Sequence, residues 1–357
     1  MRTRRPGSFP SSDHMSRTRK PGRFGAVATA MVTPFDEAGK LDLEAAVSLG
    51  GFLQQNGSEA LVVSGTTGES PVLSDDERRD LFHAMVQGVT IPIIAGSTSN
   101  DTAHSVELTR AAEAAGVAAI LAVTPYYSRP SQEGIARHFG AVAECTSLPV
   151  VIYDIPVRTG RKIATDTLVR LSREYPNIIG VKDAAGDVAS TARLLAETGG
   201  AFEVYSGEDA LTLALLAVGA SGTVAVASHW VGPELAQMVG AYLGGDVETA
   251  RRLNAELIGI VSFQSSDEAP NPMPAKAMCR AMGLAVGECR LPHGPAPAWL
   301  TEQAEAVLAD LGAWRAGRTG DAGGAGRTGD AGDAGPADEA DEAGEAGLCG
   351  GPGGPGG

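Results

Sequence analysis

The stretches "AAILAVTP" (118–125) and "LPVVIYDIP" (148–156) enclose "SQEGIARHFGAVAECT" (131–146), and the reading of that triplet decides the fold. The flanking runs are short, β-branched and almost continuously apolar, as strands covered on both faces are. The segment between them is helix-patterned, with Ser131 where an N-cap belongs. Strand, helix, strand is the repeat of a parallel sheet. It recurs along the chain through "AVATAMV" (26–32), "EALVVSG" (59–65), "IPIIAGS" (91–97), "NIIGVKDA" (177–184), "FEVYSGE" (202–208) and "SGTVAVAS" (221–228). Two more helix-patterned gaps are "SDDERRDLFHAMVQGV" (74–89), opened by a Ser74/Glu77 capping box, and "NDTAHSVELTRAAEAAG" (100–116), with Asn100 as its expected N-cap. Eight such units predict a (β/α)8 TIM barrel. A doubly wound open sheet is the competing reading. It usually has fewer strands and a Gly-rich dinucleotide turn after the first, which "MVTPFDEAG" (31–39) is not.

After "HWVGPELAQMVGAYLGGDVETARRLNAELIGIVSF" (229–263) the pattern reads as purely helical through Leu311. The expected organisation is therefore a disordered basic arm at 1–24, a catalytic barrel at 25–230, a C-terminal helical subdomain at 231–312 and a disordered acidic Gly/Ala-rich tail at 313–357. The N-terminal stretch lacks the apolar core of a secretory signal, and Met15 stands as a second candidate start. The tail repeats "AGRTGDAG" at 316–323 and 325–332 and is too poor in apolar residues to offset the entropy of ordering it.

The net charge of −15 argues against nucleic acid as a partner. No apolar run approaches the roughly 20 residues of a membrane span. Cys145, Cys279, Cys289 and Cys349 have neither CxxC nor Cys/His spacing, and reduced thiols in a cytoplasmic protein are the expectation.

In such barrels the chemistry sits at the C-terminal strand ends and the loops that follow. Here those ends carry hydroxyls, tyrosines, one lysine and few fixed charges; no His/Asp/Glu triad suggests a metal. "SGTTGES" (64–70) could cradle a carboxylate through main-chain N–H groups and the Thr66 and Thr67 hydroxyls, although a tight turn needs the same glycines. "VIYDIPVRTG" (151–160) ends a strand on Tyr153 and places Arg158 just beyond. Tyr153 could relay protons and Arg158 could hold a carboxylate in its planar fork, against the plainer readings of packing and solvation. Tyr126 and Tyr127 in "TPYYSRP" (124–130) read as surface or interface aromatics.

Lys182 ends the apolar run of "IIGVKDAAG" (178–186), with Asp183 beside it. Two fates are open: a structural ion pair, or a dry pocket that keeps the amine neutral and nucleophilic. A neutral lysine forms an imine with a ketone, and the imine then draws a proton off the neighbouring carbon. That chemistry needs proton shuttles such as tyrosine and threonine hydroxyls, and neither a metal nor an organic cofactor.

Together "AMVTPF" (30–35), "GTTGES" (65–70), "VTPYYSRPSQEG" (123–134), "YDIPVRTG" (153–160), "GVKDAAGD" (180–187), "YSGEDA" (205–210) and "NPMPAK" (271–276) resemble the dihydrodipicolinate synthase/N-acetylneuraminate lyase family of pyruvate-dependent class I aldolases. The resemblance runs from about Phe24 to Leu311. It implies Lys182 as the Schiff-base lysine, Tyr153 as general acid/base, and a relay completed by Thr66 and by Tyr127 of a neighbouring subunit. It also implies Thr66 and Thr67 on the pyruvate carboxylate, with Gly207 and Val224 lining the pocket through main-chain atoms. Thr67 and Arg158 point to the synthase branch, Arg158 taking the carboxylate of aspartate 4-semialdehyde. A homotetramer built as a dimer of dimers follows from the shared tyrosine. A paralogue acting on another aldehyde or 2-oxo acid, and a non-catalytic 2-oxo-acid binder, are the alternative readings.

The chain departs from the family pattern at Asp154 and His229, both often asparagine. Members inhibited by lysine use histidines just after the "GTTGES" turn and a glutamate further on. Here "PVLSDDERRD" (71–80) has no histidine, and His104 stands in the glutamate's place. Weak or absent lysine inhibition is the expectation.

Overall fold

The structure is a computed structural model and describes residues 20–264 and 266–324 of the 357-residue chain. Eight strands close into a parallel barrel in sequence order: β1 (Val27–Ala30), β2 (Ala60–Val63), β3 (Ile93–Gly96), β4 (Ala119–Val123), β5 (Val150–Asp154), β6 (Ile178–Asp183), β7 (Glu203–Ser206) and β8 (Gly222–Ala225), which pairs back with β1. All eight runs singled out in the sequence contain one strand each. Almost every strand residue is buried, because helices cover the outside and side chains fill the inside. The interior layer includes Ala28, Ala30, Val62, Ile94, Leu121, Val151 and Val224. Small and branched residues alternate there, so the sparse aromatic content is no obstacle to a filled barrel.

Helices α1 (Leu43–Gln55), α2 (Asp75–Gly88), α3 (Thr102–Ala114), α4 (Gln132–Glu144), the short α5 (Pro156–Thr159), α6 (Thr165–Glu174), α7 (Val188–Thr198) and α8 (Thr212–Val218) occupy the crossovers. The Ser74/Glu77 capping box is present at α2, and the Ser131 hydroxyl accepts from the Gly134 N–H at 3.1 Å at α4. The cap of α3 differs from expectation. Asp101, not Asn100, accepts from the His104 N–H at 2.7 Å, one residue later. α9 (Ser228–Gly244), α10 (Val247–Val261), α11 (Met273–Ala281) and α12 (Ala298–Gly324) follow the barrel.

Three other boundaries differ from the sequence reading. Residues 20–24, assigned to the arm, pack on the barrel base: Phe24 is buried, its N–H donates to the Tyr205 hydroxyl at 3.0 Å, and the Gly22 N–H donates to the Ser221 carbonyl at 3.1 Å. A single aromatic is enough to draw a short polar segment under an open barrel end. The stretch 229–311 is not purely helical, because residues 282–297 hold Gly283, Gly287, Gly294, Pro292, Pro295 and Pro297 and run irregularly between α11 and α12. Residues 313–324, assigned to the tail, are helical within α12. Residues 1–19 and 325–357, the rest of the arm and tail, lie outside the described residues. No helix among the described residues is long and apolar enough to cross a membrane.

Candidate active site

Adjacent strands β5 and β6 set Tyr153 level with Lys182, and β6 and β7 set Lys182 level with Tyr205. Parallel neighbours at one level point the same way, so the Tyr153 and Lys182 side chains share the upper barrel interior. The Lys182 Nζ lies 4.4 Å from the centre of the Tyr153 ring. The Tyr153 backbone is held in place by Thr124, whose N–H and hydroxyl both donate to the Tyr153 carbonyl, at 3.0 and 2.9 Å.

Lys182 is 4% exposed and has no ion pair among the described residues; the buried lysine that does is Lys276, 2.8 Å from Glu69. Asp183, its sequence neighbour, instead accepts from the Ala185 N–H and the Thr191 hydroxyl and so braces the loop before α7. Burial pulls the Lys182 amine down to about 8; Asp209 and Glu208 oppose that shift and Arg158 adds to it. Of the two fates, the ion pair is not found among the described residues, and burial brings the amine closer to neutrality without discharging it at pH 7. Burial pushes the Tyr153 phenol well above its ordinary range, with the Arg158 charge and then Thr66 opposing, so Tyr153 holds its proton at neutral pH.

A cavity of about 380 Å³ opens over this pair. Its lining brings together Thr66, Thr67, Tyr153, Arg158, Lys182 and Gly207. The small size of residue 207 is required here: a Cβ would stand 3.0 Å from both Cγ and Cε of Lys182. The Arg158 guanidinium donates to the Asn271 carbonyl at 3.2 Å, which aims it across the cavity mouth. A second cavity of about 250 Å³ shares Thr66, Ile155 and Arg158 with the first and extends to Val72, Tyr126 and Pro292.

Two expected residues are placed elsewhere. Tyr127 is 91% exposed with φ 69° and is absent from the lining of either cavity. Val224 is buried in the barrel's apolar layer, and Val226, two residues on, lines the cavity instead: the two face the same way, but Val226 lies past the strand end, one level nearer the barrel mouth. His229 does not reshape the pocket: its Nε2 accepts from the Val32 N–H at 3.2 Å and its Nδ1 donates to the Val226 carbonyl at 2.7 Å. Burial holds that imidazole down to about 4, so it is a neutral strap between two loops. The sequence reading missed Asn271, whose amide donates to the Thr67 hydroxyl at 3.0 Å, and Glu208 and Gln264 on the cavity wall. "NPMPAK" was the one signal for Asn271, and it carries no chemistry of its own. Among the described residues no group of His, Cys, Asp and Glu could hold a metal ion.

A parallel eight-stranded barrel with a buried lysine that has no ion pair among the described residues and lies beneath a phenol defines a class of imine-forming barrel enzymes. Residues 23–311 match the dihydrodipicolinate synthetase family, and the chain belongs to that family. The 4-hydroxy-tetrahydrodipicolinate synthase of Bacillus subtilis is 46% identical over 288 residues, covering 80% of this chain and 97% of that relative. The crystal structure of a dihydrodipicolinate synthase from Bacillus anthracis superposes with a TM-score of 0.77 at 44% identity, covering 80% of this chain and 97% of that one. A synthase from Cyanidioschyzon merolae, crystallised with lysine bound, gives a TM-score of 0.78 at 39% identity, over 81% and 98% of the two chains.

Proposed function

We propose that the protein condenses pyruvate with L-aspartate 4-semialdehyde to 4-hydroxy-tetrahydrodipicolinate, a step of lysine and diaminopimelate biosynthesis. The observation that carries this is Lys182 itself, buried with no ion pair among the described residues, under Tyr153 in a cavity that also holds two threonines and an arginine. The Lys182 amine adds to the keto carbon of pyruvate, and loss of water leaves a protonated imine. Removal of a methyl proton gives an enamine, whose carbon attacks the aldehyde. The amino group of the second substrate then displaces the Lys182 nitrogen and closes the ring. Thr66 and Thr67 take the pyruvate carboxylate, and Tyr153, which shares the cavity with Thr66, moves the protons.

Arg158 takes the carboxylate of the aldehyde. Arg158→Ala is expected to lower kcat/KM for aspartate semialdehyde by about 10–100-fold, the worth of a charged hydrogen-bonded contact. Turnover of an aldehyde without a carboxylate should change by less than about threefold. Product analysis with both aldehydes checks it; an equal fall for both contradicts the assignment.

The relay takes its second phenol from another copy of the chain. Tyr127 stands out from its own subunit in a left-handed conformation that is uncommon for a tyrosine and that its loop must enforce. The adjoining cavity beside Thr66 and Tyr126 has room for such a ring. A homotetramer of two tight dimers in the cytoplasm is the assembly this supports, and the free thiols Cys145, Cys279 and Cys289 fit that compartment.

Lysine is expected to inhibit weakly or not at all. The His104 Nε2 sits 3.0 and 3.1 Å from the two carboxylate oxygens of Asp75, so the position is already engaged by an acid of this chain. Steady-state assays with added lysine test it, and a sub-millimolar inhibition constant contradicts it.

A further inference from the structure

The second buried lysine belongs to the edge of the site. Lys276 of α11 is fully buried, and its Nζ lies 2.8 Å from Glu69 Oε1, donates to the Glu288 carbonyl at 2.9 Å and stands 4.1 Å from the centre of the Phe35 ring. The other Glu69 oxygen accepts from the Arg290 N–H at 2.9 Å. Glu69 has left-handed backbone angles, φ 55° and ψ 36°, a conformation its surroundings must enforce. It also closes the turn that carries the two threonines: the Glu69 N–H donates to the Thr66 carbonyl and the Ser70 N–H to the Gly65 carbonyl, each at 3.1 Å. One residue of the carboxylate cradle is thus held from the C-terminal segment, and Asn271 holds Thr67 from the same segment.

We propose that the Glu69–Lys276 pair is a positioning element for the pyruvate-carboxylate cradle, so that the segment from Asn271 to Arg290 works as part of the site. This rests on the reading of Thr66 and Thr67 as carboxylate ligands. Glu69 lines the adjoining cavity, but neither member of the pair lines the cavity over Lys182, so toward pyruvate the pair acts through the turn. A buried ion pair adds little net stability over apolar packing, and fixed geometry is what it contributes. Hydrogen bonds to a carboxylate weaken steeply with angle, so a small rotation of the turn is felt in pyruvate capture.

The test combines Glu69→Gln with Lys276→Met, which removes both charges and strands neither. Glu69→Asp and Lys276→Arg are made separately as charge-keeping variants. Imine formation is trapped with borohydride across a pyruvate titration, and thermal melting is followed in parallel. In the double variant, half-saturating pyruvate is expected to rise at least about tenfold, with the limiting trapping rate within about threefold of wild type. Glu69→Asp and Lys276→Arg should fall between. A folded double variant with wild-type half-saturation overturns the proposal. If that variant does not fold, the same null result in both charge-keeping variants overturns it. A wild-type chain that traps nothing at Lys182 overturns the underlying reading as well, so the two failures are distinct.

Discussion

Lys182→Ala is expected to abolish turnover, a fall on the order of 10⁴-fold or more, because Lys182 is the lysine among the described residues that lines the cavity and can carry the covalent intermediate. Lys276, the other buried lysine, cannot substitute, since it is bound to Glu69 and lies outside the cavity lining. Fold should survive, as alanine leaves no buried charge unpaired and Lys182 makes no ion pair among the described residues. Circular dichroism beside the coupled assay separates the two outcomes; measurable turnover at more than about a hundredth of wild type contradicts the assignment. The wild-type pH profile follows from the same amine. With the folded value about 8, below the ordinary lysine value, the neutral fraction grows as pH rises through that value. At pH 7 the protonated amine still predominates. The rate of imine formation should therefore climb through pH 7 and level off above about 8, and a rate that falls over that range contradicts it.

Tyr153→Phe carries the second largest effect. It removes one hydroxyl and leaves the ring that covers Lys182, so packing is kept and only proton movement is lost. A fall of about 10²–10⁴ in kcat is expected, the range for general acid–base catalysis, with little change in half-saturating pyruvate. Deuterated pyruvate in single-turnover experiments checks it. If half-saturating pyruvate rises while kcat stays put, Tyr153 binds substrate and does not shuttle protons.

The barrel was legible because buried parallel strands have no polar side: each reads as a continuous apolar run with small polar residues after it. Lys182 and Tyr153 were legible for a related reason. A polar residue that ends such a run must lie at the barrel mouth, where chemistry is built. Segments 20–24 and 282–297 were not, because what orders them is contact with distant strands and not local pattern. Asn271 and Thr67 meet across 204 positions, and Glu69 meets Arg290 across 221; neither spacing leaves a periodic trace. The Asp101 cap shows the limit at short range, since Asn100 and Asp101 both suit an N-cap and only the start of the helix chooses between them. Tyr127 was found by resemblance, and a single chain has no place for it beside Lys182.

The most direct measurement is the mass of the intact chain, and of its peptides, after incubation with pyruvate and quenching with borohydride. One reduced pyruvate adduct on the peptide bearing Lys182, lost in Lys182→Ala, is the result expected. A chain of unchanged mass, or an adduct on a different lysine, contradicts the covalent mechanism.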